Sequence, residues 1–282
     1  MTRIIGDTSS GITLEYAKEY GIDLIPQYVI FGEESYRDDT EITGDEFVKK
    51  LEAATHLPKT NAPPPALYFP IFDEMRKTND DAIIICPSIH LSGTYRSALN
   101  AKAEYPDLDI RVIDTGIVGC GDAMLLLEAH RMTKAGISLD EIEKMVMGLL
   151  PKVKFYAVVD TLEYLYKGGR IDPTSKFFGD ILQIKPVLTI KEGKAVIFEK
   201  QRTKKKAITR LVELIAEDCP KSGNYGLLSL SLLESINEKE LETIKSQLKE
   251  KIGIQDIPFF NVPPAFMVHA GPGVIFATYF ID

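Results

Sequence analysis

The sequence of 282 residues predicts an α/β fold built from two domains. In its first half, short apolar runs of strand length alternate with helical patterns, which is typical of βαβ units and a mostly parallel sheet. From residue 151 onward, strands joined by a tight turn alternate with helices, which predicts a mixed sheet with hairpins. We therefore expect an N-terminal domain over 1–150 and a C-terminal domain over 151–282.

Local signals predict the individual elements of the first half. The run RIIG (3–6) reads as a strand, a helix follows over 13–20, and DLIPQYVIF (23–31) reads as one strand. Thr43 and Glu46 have capping-box spacing and predict a helix start. Further strands are predicted at AIIIC (82–86) and DIRVID (109–114). The first of them runs into a helix through Ser92-Gly93-Thr94. Ser138 with Glu141 is expected to cap the helix that follows the second strand.

The second half begins at Pro151, which ends that helix. A turn at Glu192-Gly193 predicts a β-hairpin over 185–200. The other predicted elements, in chain order, are a strand at 154–160, a helix at 204–217, a strand at 225–231, a helix from Asn237 to Gly253 and a strand at 274–282.

Composition excludes several classes of protein. The net charge of −8 argues against general nucleic-acid binding. The three cysteines have no CxxC spacing and the four histidines show no ligand spacing, so we expect neither a disulfide scaffold nor a metal site. The N-terminus lacks the apolar segment of a signal peptide and no run approaches 18 apolar residues, so the expected location is cytoplasmic. Walker A, GxGxxG, HExxH and GxSxG motifs are all incomplete or missing, so we expect no cofactor.

Four hydroxyl- or glycine-rich junctions remain as candidate sites: GDTSSG (6–11), KTNAPPP (59–65), LSGTYRSA (91–98) and HAGPG (269–273). The first and third follow strands, where α/β sheets usually bind ligands. A helix start such as the one after Ser92 suits an anion. His269 is either a core histidine or an additional donor, and we expect both Ser92 and His269 to lie in loops. One basic segment, with six cations between Lys200 and Arg210, is either a solvated helix start or a docking surface for an acidic partner.

These junctions, together with VIDTGIVGCGDA, LEYLYKGGRI, IKPVLTIKEGK and RTKKKA in that order, resemble the DegV family, which includes the bacterial fatty-acid-binding proteins called FakB. The resemblance implies an EDD-type α/β fold that holds a long-chain fatty acid between two domains. In the FakB branch the protein presents that acid to a separate fatty acid kinase, which makes an acyl phosphate for phospholipid metabolism. Such a carrier would contact membranes transiently and would not itself be a catalyst.

Matched onto this sequence, the resemblance implies that the carboxylate contacts the side chains of Thr60, Asn61, Ser92 and His269. It implies backbone donors at Gly93 and Thr94. It also places Arg170 and Arg202 near the mouth, for phosphate charge or partner docking. The sequence departs from the family pattern at Pro64, where serine is common, and at Ala270, where threonine is common. Two alternatives stay open: an esterase or acyl transferase with Ser92 as nucleophile and His269 as base, and a binder of another apolar acid, such as a retinoid- or sterol-like ligand.

Overall fold

The computed structural model of the protein describes residues 1–171, 184–219, 228–254 and 256–281. The strands in these ranges are β1 (Thr2–Asp7), β2 (Ile22–Ile25), β3 (Tyr28–Phe31), β4 (Glu34–Arg37), β5 (Lys59–Asn61), β6 (Asp81–Cys86), β7 (Ile110–Asp114), β8 (Val153–Val158), β9 (Lys185–Lys191), β10 (Lys194–Gln201), β11 (Ser229–Leu232), β12 (Phe259–Asn261) and β13 (Ile275–Phe280). The helices are α1 (Leu14–Tyr20), α2 (Gly44–Ala53), α3 (Phe69–Thr78), α4 (Thr94–Ala103), α5 (Cys120–Lys134), α6 (Leu139–Leu149), α7 (Glu163–Lys167), α8 (Lys204–Asp218), α9 (Glu234–Ile252) and α10 (Pro264–Ala270). None of these helices has an apolar stretch long enough to cross a bilayer.

The N-terminal half contains the expected parallel sheet, with strand order β2-β1-β6-β7. The central strands β1 and β6 are almost entirely buried, as strands of a sheet covered on both faces are, and β6 is apolar after Asp81. Because the two strands are parallel neighbours, the loops that follow them leave the sheet at the same edge. That shared edge carries two of the four predicted junctions.

The prediction of one strand over 23–31 was wrong. The segment forms two strands in different sheets: β2 pairs with β1, whereas β3 pairs antiparallel with β4 and β5. Pro26 lies at the break, where its missing N–H removes a ladder hydrogen bond. The consequence is that Gln27 lies between two strands and not within one.

The C-terminal half forms a mixed sheet with strand order β10-β9-β8-β13-β11-β12. The pairing of β11 with β12 is parallel, and the other four pairings are antiparallel. The predicted hairpin is confirmed, with its turn at Glu192-Gly193 in the left-handed region (φ of 52° and 73°). Two predicted strands extend beyond what the structure describes: residues 225–227 of the first and residue 282 of the last lie outside the described ranges.

Most predicted helix ends are confirmed. Thr43 and Glu46 form a reciprocal capping box, and Ser138 accepts from the Glu141 backbone N–H. Gly253 ends α9 in a left-handed conformation (φ 76°), as glycine at this position commonly does. Asn237, however, does not begin α9: the helix starts at Glu234 and is kinked at Asn237.

The hydrophobic core connects the two sheets. Its largest cluster includes Ile4 and Ile83 from the parallel sheet and Phe155 and Phe276 from the mixed sheet, all buried. A second cluster lies where α8 and α9 cover the mixed sheet, and a third lies under α3 and α4. The shared cluster fixes the two halves relative to each other, and a cavity lies beside it. The division into domains near residue 150 stays a prediction.

Candidate functional site

A cavity opens where the two halves meet, and residues of both halves line it. Its empty space, open mouth included, is about 910 Å3. Apolar side chains make up most of the wall, among them Val118, Phe155, Leu165, Leu188, Ile190 and Phe266. Polar groups that line it include Ser9, Gln27, Thr60, Ser92, Arg170 and His269. The cavity therefore suits an apolar molecule with a polar group.

The parallel sheet positions the first group of polar residues. Ser9 lies after β1 and Ser92 lies between β6 and α4, at the shared edge of the sheet. Gly93 allows this second loop to approach the junction at 59–65, because a Cβ on Gly93 would lie 3.1 Å from the Cβ of Ala62. Three predicted junctions thus meet at one part of the cavity wall.

The fourth junction joins them through a hydrogen bond between Thr60 and His269. The Oγ1 atom of Thr60 lies 2.8 Å from Nε2 of His269, across 209 residues of sequence. Thr60 is the middle residue of β5, whose side chains alternate between exposed, half-buried and exposed. Asn61 is accordingly exposed and is not part of the cavity wall.

His269 is half-buried and neutral. The prediction that it lies in a loop was wrong, because it occupies the last turn of α10. Burial, reinforced by the nearby Arg170 charge, lowers the pKa of His269 to about 3. Its Nδ1 atom has no hydrogen-bond partner among the described residues and lies against Gly168, where an added Cβ would come within 2.4 Å. A proton on Nδ1 would be buried without an acceptor, so we assign the proton to Nε2, which donates to Thr60.

Ser92 and His269 do not form the nucleophile–base pair that the esterase alternative needs. Ser92 Oγ is 2.9 Å from Oγ1 of Thr94 and accepts the backbone N–H of Thr94 at 3.2 Å. His269 is hydrogen-bonded to Thr60, and no acidic group among the described residues orients its Nδ1. A catalytic triad requires a hydrogen bond between nucleophile and base and a second one between base and acid. The geometry therefore does not support hydrolysis by Ser92.

Arg170 is the cationic side chain of this cavity wall. It is half-buried, and burial lowers its pKa below the ordinary value. Among the described residues, its hydrogen bonds go to the backbone carbonyls of Leu91 (3.2 Å, from Nε) and Gly168. Because carbonyl oxygens do not neutralise its charge, this guanidinium supplies a net positive charge beside Ser92 and His269.

Sequence reasoning missed Gln27. It is only 4% exposed, lines the cavity and donates from Nε2 to Oγ1 of Thr94 at 2.7 Å. Behind it, Asp38 is buried, and burial raises the pKa of its carboxyl to about 7. The available signal was a single amide in the otherwise apolar run DLIPQYVIF, directly after a proline.

The basic segment lies outside the cavity wall. Within the segment, Lys204 lies 3.3 Å from Asp160, and Arg210 lies 2.9 Å from Glu199 and 2.8 Å from Glu217. Arg202 is exposed just before α8. The structure thus brings Thr60, Ser92, Gly93, Arg170 and His269 to one cavity and leaves Asn61, Thr94 and Arg202 outside its wall. Within the described ranges, no cluster of histidine, cysteine and acidic residues could hold a metal ion.

The fold and the cavity together define a class of protein: an α/β protein with one parallel and one mixed sheet and an apolar cavity that has hydroxyl, imidazole and guanidinium groups in its wall. The model of the family described as "Uncharacterised protein, DegV family" matches residues 1–281. The chain belongs to the DegV family.

Relatives and solved structures agree with this assignment. The chain is 32% identical to Protein DegV of Bacillus subtilis over 260 residues, which is 92% of this chain and 90% of that protein. The structure of DegV from the same organism, described as a fatty acid binding protein, superposes with a TM-score of 0.87 at 29% identity, covering 100% and 99% of the two chains. A structure described as fatty acid binding of a DegV family protein from Thermus thermophilus superposes with a TM-score of 0.88 at 27% identity, covering 99% of each chain.

Proposed function

We propose that this protein binds a long-chain fatty acid in the cavity, with the carboxylate among Thr60, Ser92 and His269 and the acyl chain along the apolar wall. The observation that carries the proposal is the composition of that wall, in which neutral donors and one arginine interrupt an otherwise apolar surface. Residues 1–150 and 151–282 would act as two domains that enclose the ligand. The fatty-acid-binding descriptions of the DegV structures from Bacillus subtilis and Thermus thermophilus support it.

Elementary energetics are consistent with such a ligand. Burying the methylenes of a sixteen-carbon chain contributes about 12 kcal/mol gross, at about 0.8 kcal/mol each. An unpaired buried carboxylate would cost several kcal/mol. Hydrogen bonds from hydroxyl groups offset this cost, and they do not fix the carboxylate as an ion pair with a buried lysine would. The carboxylate oxygens would then stay accessible to a phosphoryl donor.

We further propose that the protein is a non-catalytic cytoplasmic carrier that presents the carboxylate to a separate fatty acid kinase. Arg170 lies where its guanidinium could hold a transferred phosphate bidentately. Arg202, exposed and outside the cavity, belongs to the basic segment that would dock the kinase. Transient membrane contact would load the carrier.

The binding proposal has a direct test in the head group of the ligand. We expect delipidated protein to bind palmitate and to bind methyl palmitate at least about tenfold more weakly, because the ester loses the charge-assisted hydrogen bonds. Calorimetric titration of both ligands measures the difference. Equal affinities would mean that the donors in the wall do not hold the carboxylate, and no binding of either lipid would refute the proposal.

A further inference from the structure

We propose that Gln27 is a positioning residue, which acts through Thr94 to orient the Ser92 hydroxyl toward the ligand. The inference rests on the proposed function, because it assigns a role within the same carboxylate site. The sequence alone does not single out this side chain, which is connected to Ser92 by two successive hydrogen bonds through Thr94.

The directions of three hydrogen bonds carry the inference. Gln27 donates from Nε2 to Thr94 Oγ1 at 2.7 Å, so the oxygen of Thr94 acts as an acceptor there. Ser92 Oγ lies 2.9 Å from Thr94 Oγ1, where either hydroxyl can donate, and it accepts the backbone N–H of Thr94 at 3.2 Å. Because Gln27 already donates to Thr94 Oγ1, we assign the Thr94 hydroxyl as the donor to Ser92. A serine hydroxyl has two acceptor lone pairs and one proton. With this assignment both lone pairs of Ser92 are occupied, so its proton is left to donate into the cavity.

Hydrogen bonds hold the backbone of Gln27 in place behind its side-chain amide. Its backbone N–H donates to Thr8 Oγ1 and to Asp38 Oδ1, both at 2.9 Å, and the Thr8 hydroxyl donates to the same Asp38 oxygen at 2.6 Å. Gln27 and Thr94 are 4% and 1% exposed. Since water has little access to either residue, a lost partner cannot be replaced cheaply.

Removing the amide should release the chain of hydrogen bonds. In Gln27→Leu, the Thr94 oxygen lacks its donor, and the Ser92 proton can turn to Thr94 instead of the ligand. We expect palmitate affinity to fall about 5- to 20-fold. Thr94→Val, which removes the hydroxyl at nearly constant shape, should cause the same loss, and Thr94→Ser should retain affinity within about threefold.

A double-mutant cycle with Ser92→Ala distinguishes positioning from a general structural effect. Palmitate dissociation constants are measured for the parent, Gln27→Leu, Ser92→Ala and the double variant, with Gln247→Leu on α9 as the matched control. The proposal predicts that Gln27→Leu has little further effect once Ser92 is alanine. The same loss in both backgrounds would overturn it while leaving fatty-acid binding intact.

Two further outcomes are decisive. A parent protein that binds no palmitate would refute the proposed function and this inference together. If Gln27→Leu failed to fold, as judged by circular dichroism, Thr94→Val and Thr94→Ser would test whether Thr94 positions the Ser92 hydroxyl. Palmitate affinity that is lost in Thr94→Val and retained in Thr94→Ser supports the positioning role. Equal palmitate affinities of the two variants contradict it.

Discussion

Ser92→Ala and His269→Ala should each weaken palmitate binding by about 10- to 150-fold, which corresponds to about 1.5–3 kcal/mol for a hydrogen bond to a charged group. Ser92 would lose a donor to the carboxylate. His269 would act through Thr60, because its Nε2 proton occupies the Thr60 oxygen and leaves the Thr60 hydroxyl proton for the ligand. Titration of delipidated protein with palmitate measures both effects.

Matched controls are available on the protein surface. Ser35→Ala and His56→Ala change exposed residues outside the cavity wall and should bind palmitate like the parent. If both site variants also bound like the parent, the carboxylate would lie elsewhere. If they kept the lipid but abolished an intrinsic ester hydrolysis, the protein would be an enzyme after all.

The second large effect concerns the transfer step. We expect Arg202→Glu to leave palmitate affinity unchanged and to lower acyl-phosphate formation with the proposed kinase by at least about tenfold, because charge reversal on a docking surface slows encounter. Arg170→Lys should retain affinity within about threefold, since the positive charge remains. It should lose acyl-phosphate formation, because an ammonium cannot hold phosphate bidentately.

A coupled phosphorylation assay run beside the binding titration separates these effects. Arg131→Glu, an exposed reversal on α5, serves as the control. An Arg202→Glu variant as active as the parent would mean that this part of the basic segment is only a solvated helix start, where exposed charges are worth about 0–1 kcal/mol. Equal loss of binding and of phosphorylation would mean that the arginines support the fold or the cavity instead.

Local chemistry made much of the fold predictable from sequence. The capping box at Thr43 and Glu46 and the closing Gly253 depend on residues within one turn, and the hairpin at Glu192-Gly193 depends on its own turn. Pairing between distant segments is not encoded in this way. The run 23–31 has the composition of one strand, yet Pro26 divides it between two sheets.

The site shows the same limit. Residue types identified Ser92 and His269 as donors, but only the fold brings Thr60 to His269, and strand alternation separates Thr60 from Asn61. Gln27 gave almost no sequence signal, since its role depends on where β2 ends and how β6 leads into α4. His269 was expected in a loop, whereas it lies in α10, a helix of seven residues that is too short to show a periodic pattern.

The most direct test of fatty-acid binding is to identify what the protein carries. Protein purified from its own organism without added lipid is extracted with organic solvent, and the extract is analysed by mass spectrometry beside native mass spectrometry of the intact complex. We expect close to one equivalent of a fatty acid of about 14–18 carbons. A stoichiometric nucleotide, or a retinoid- or sterol-like acid, with no fatty acid present would contradict the account.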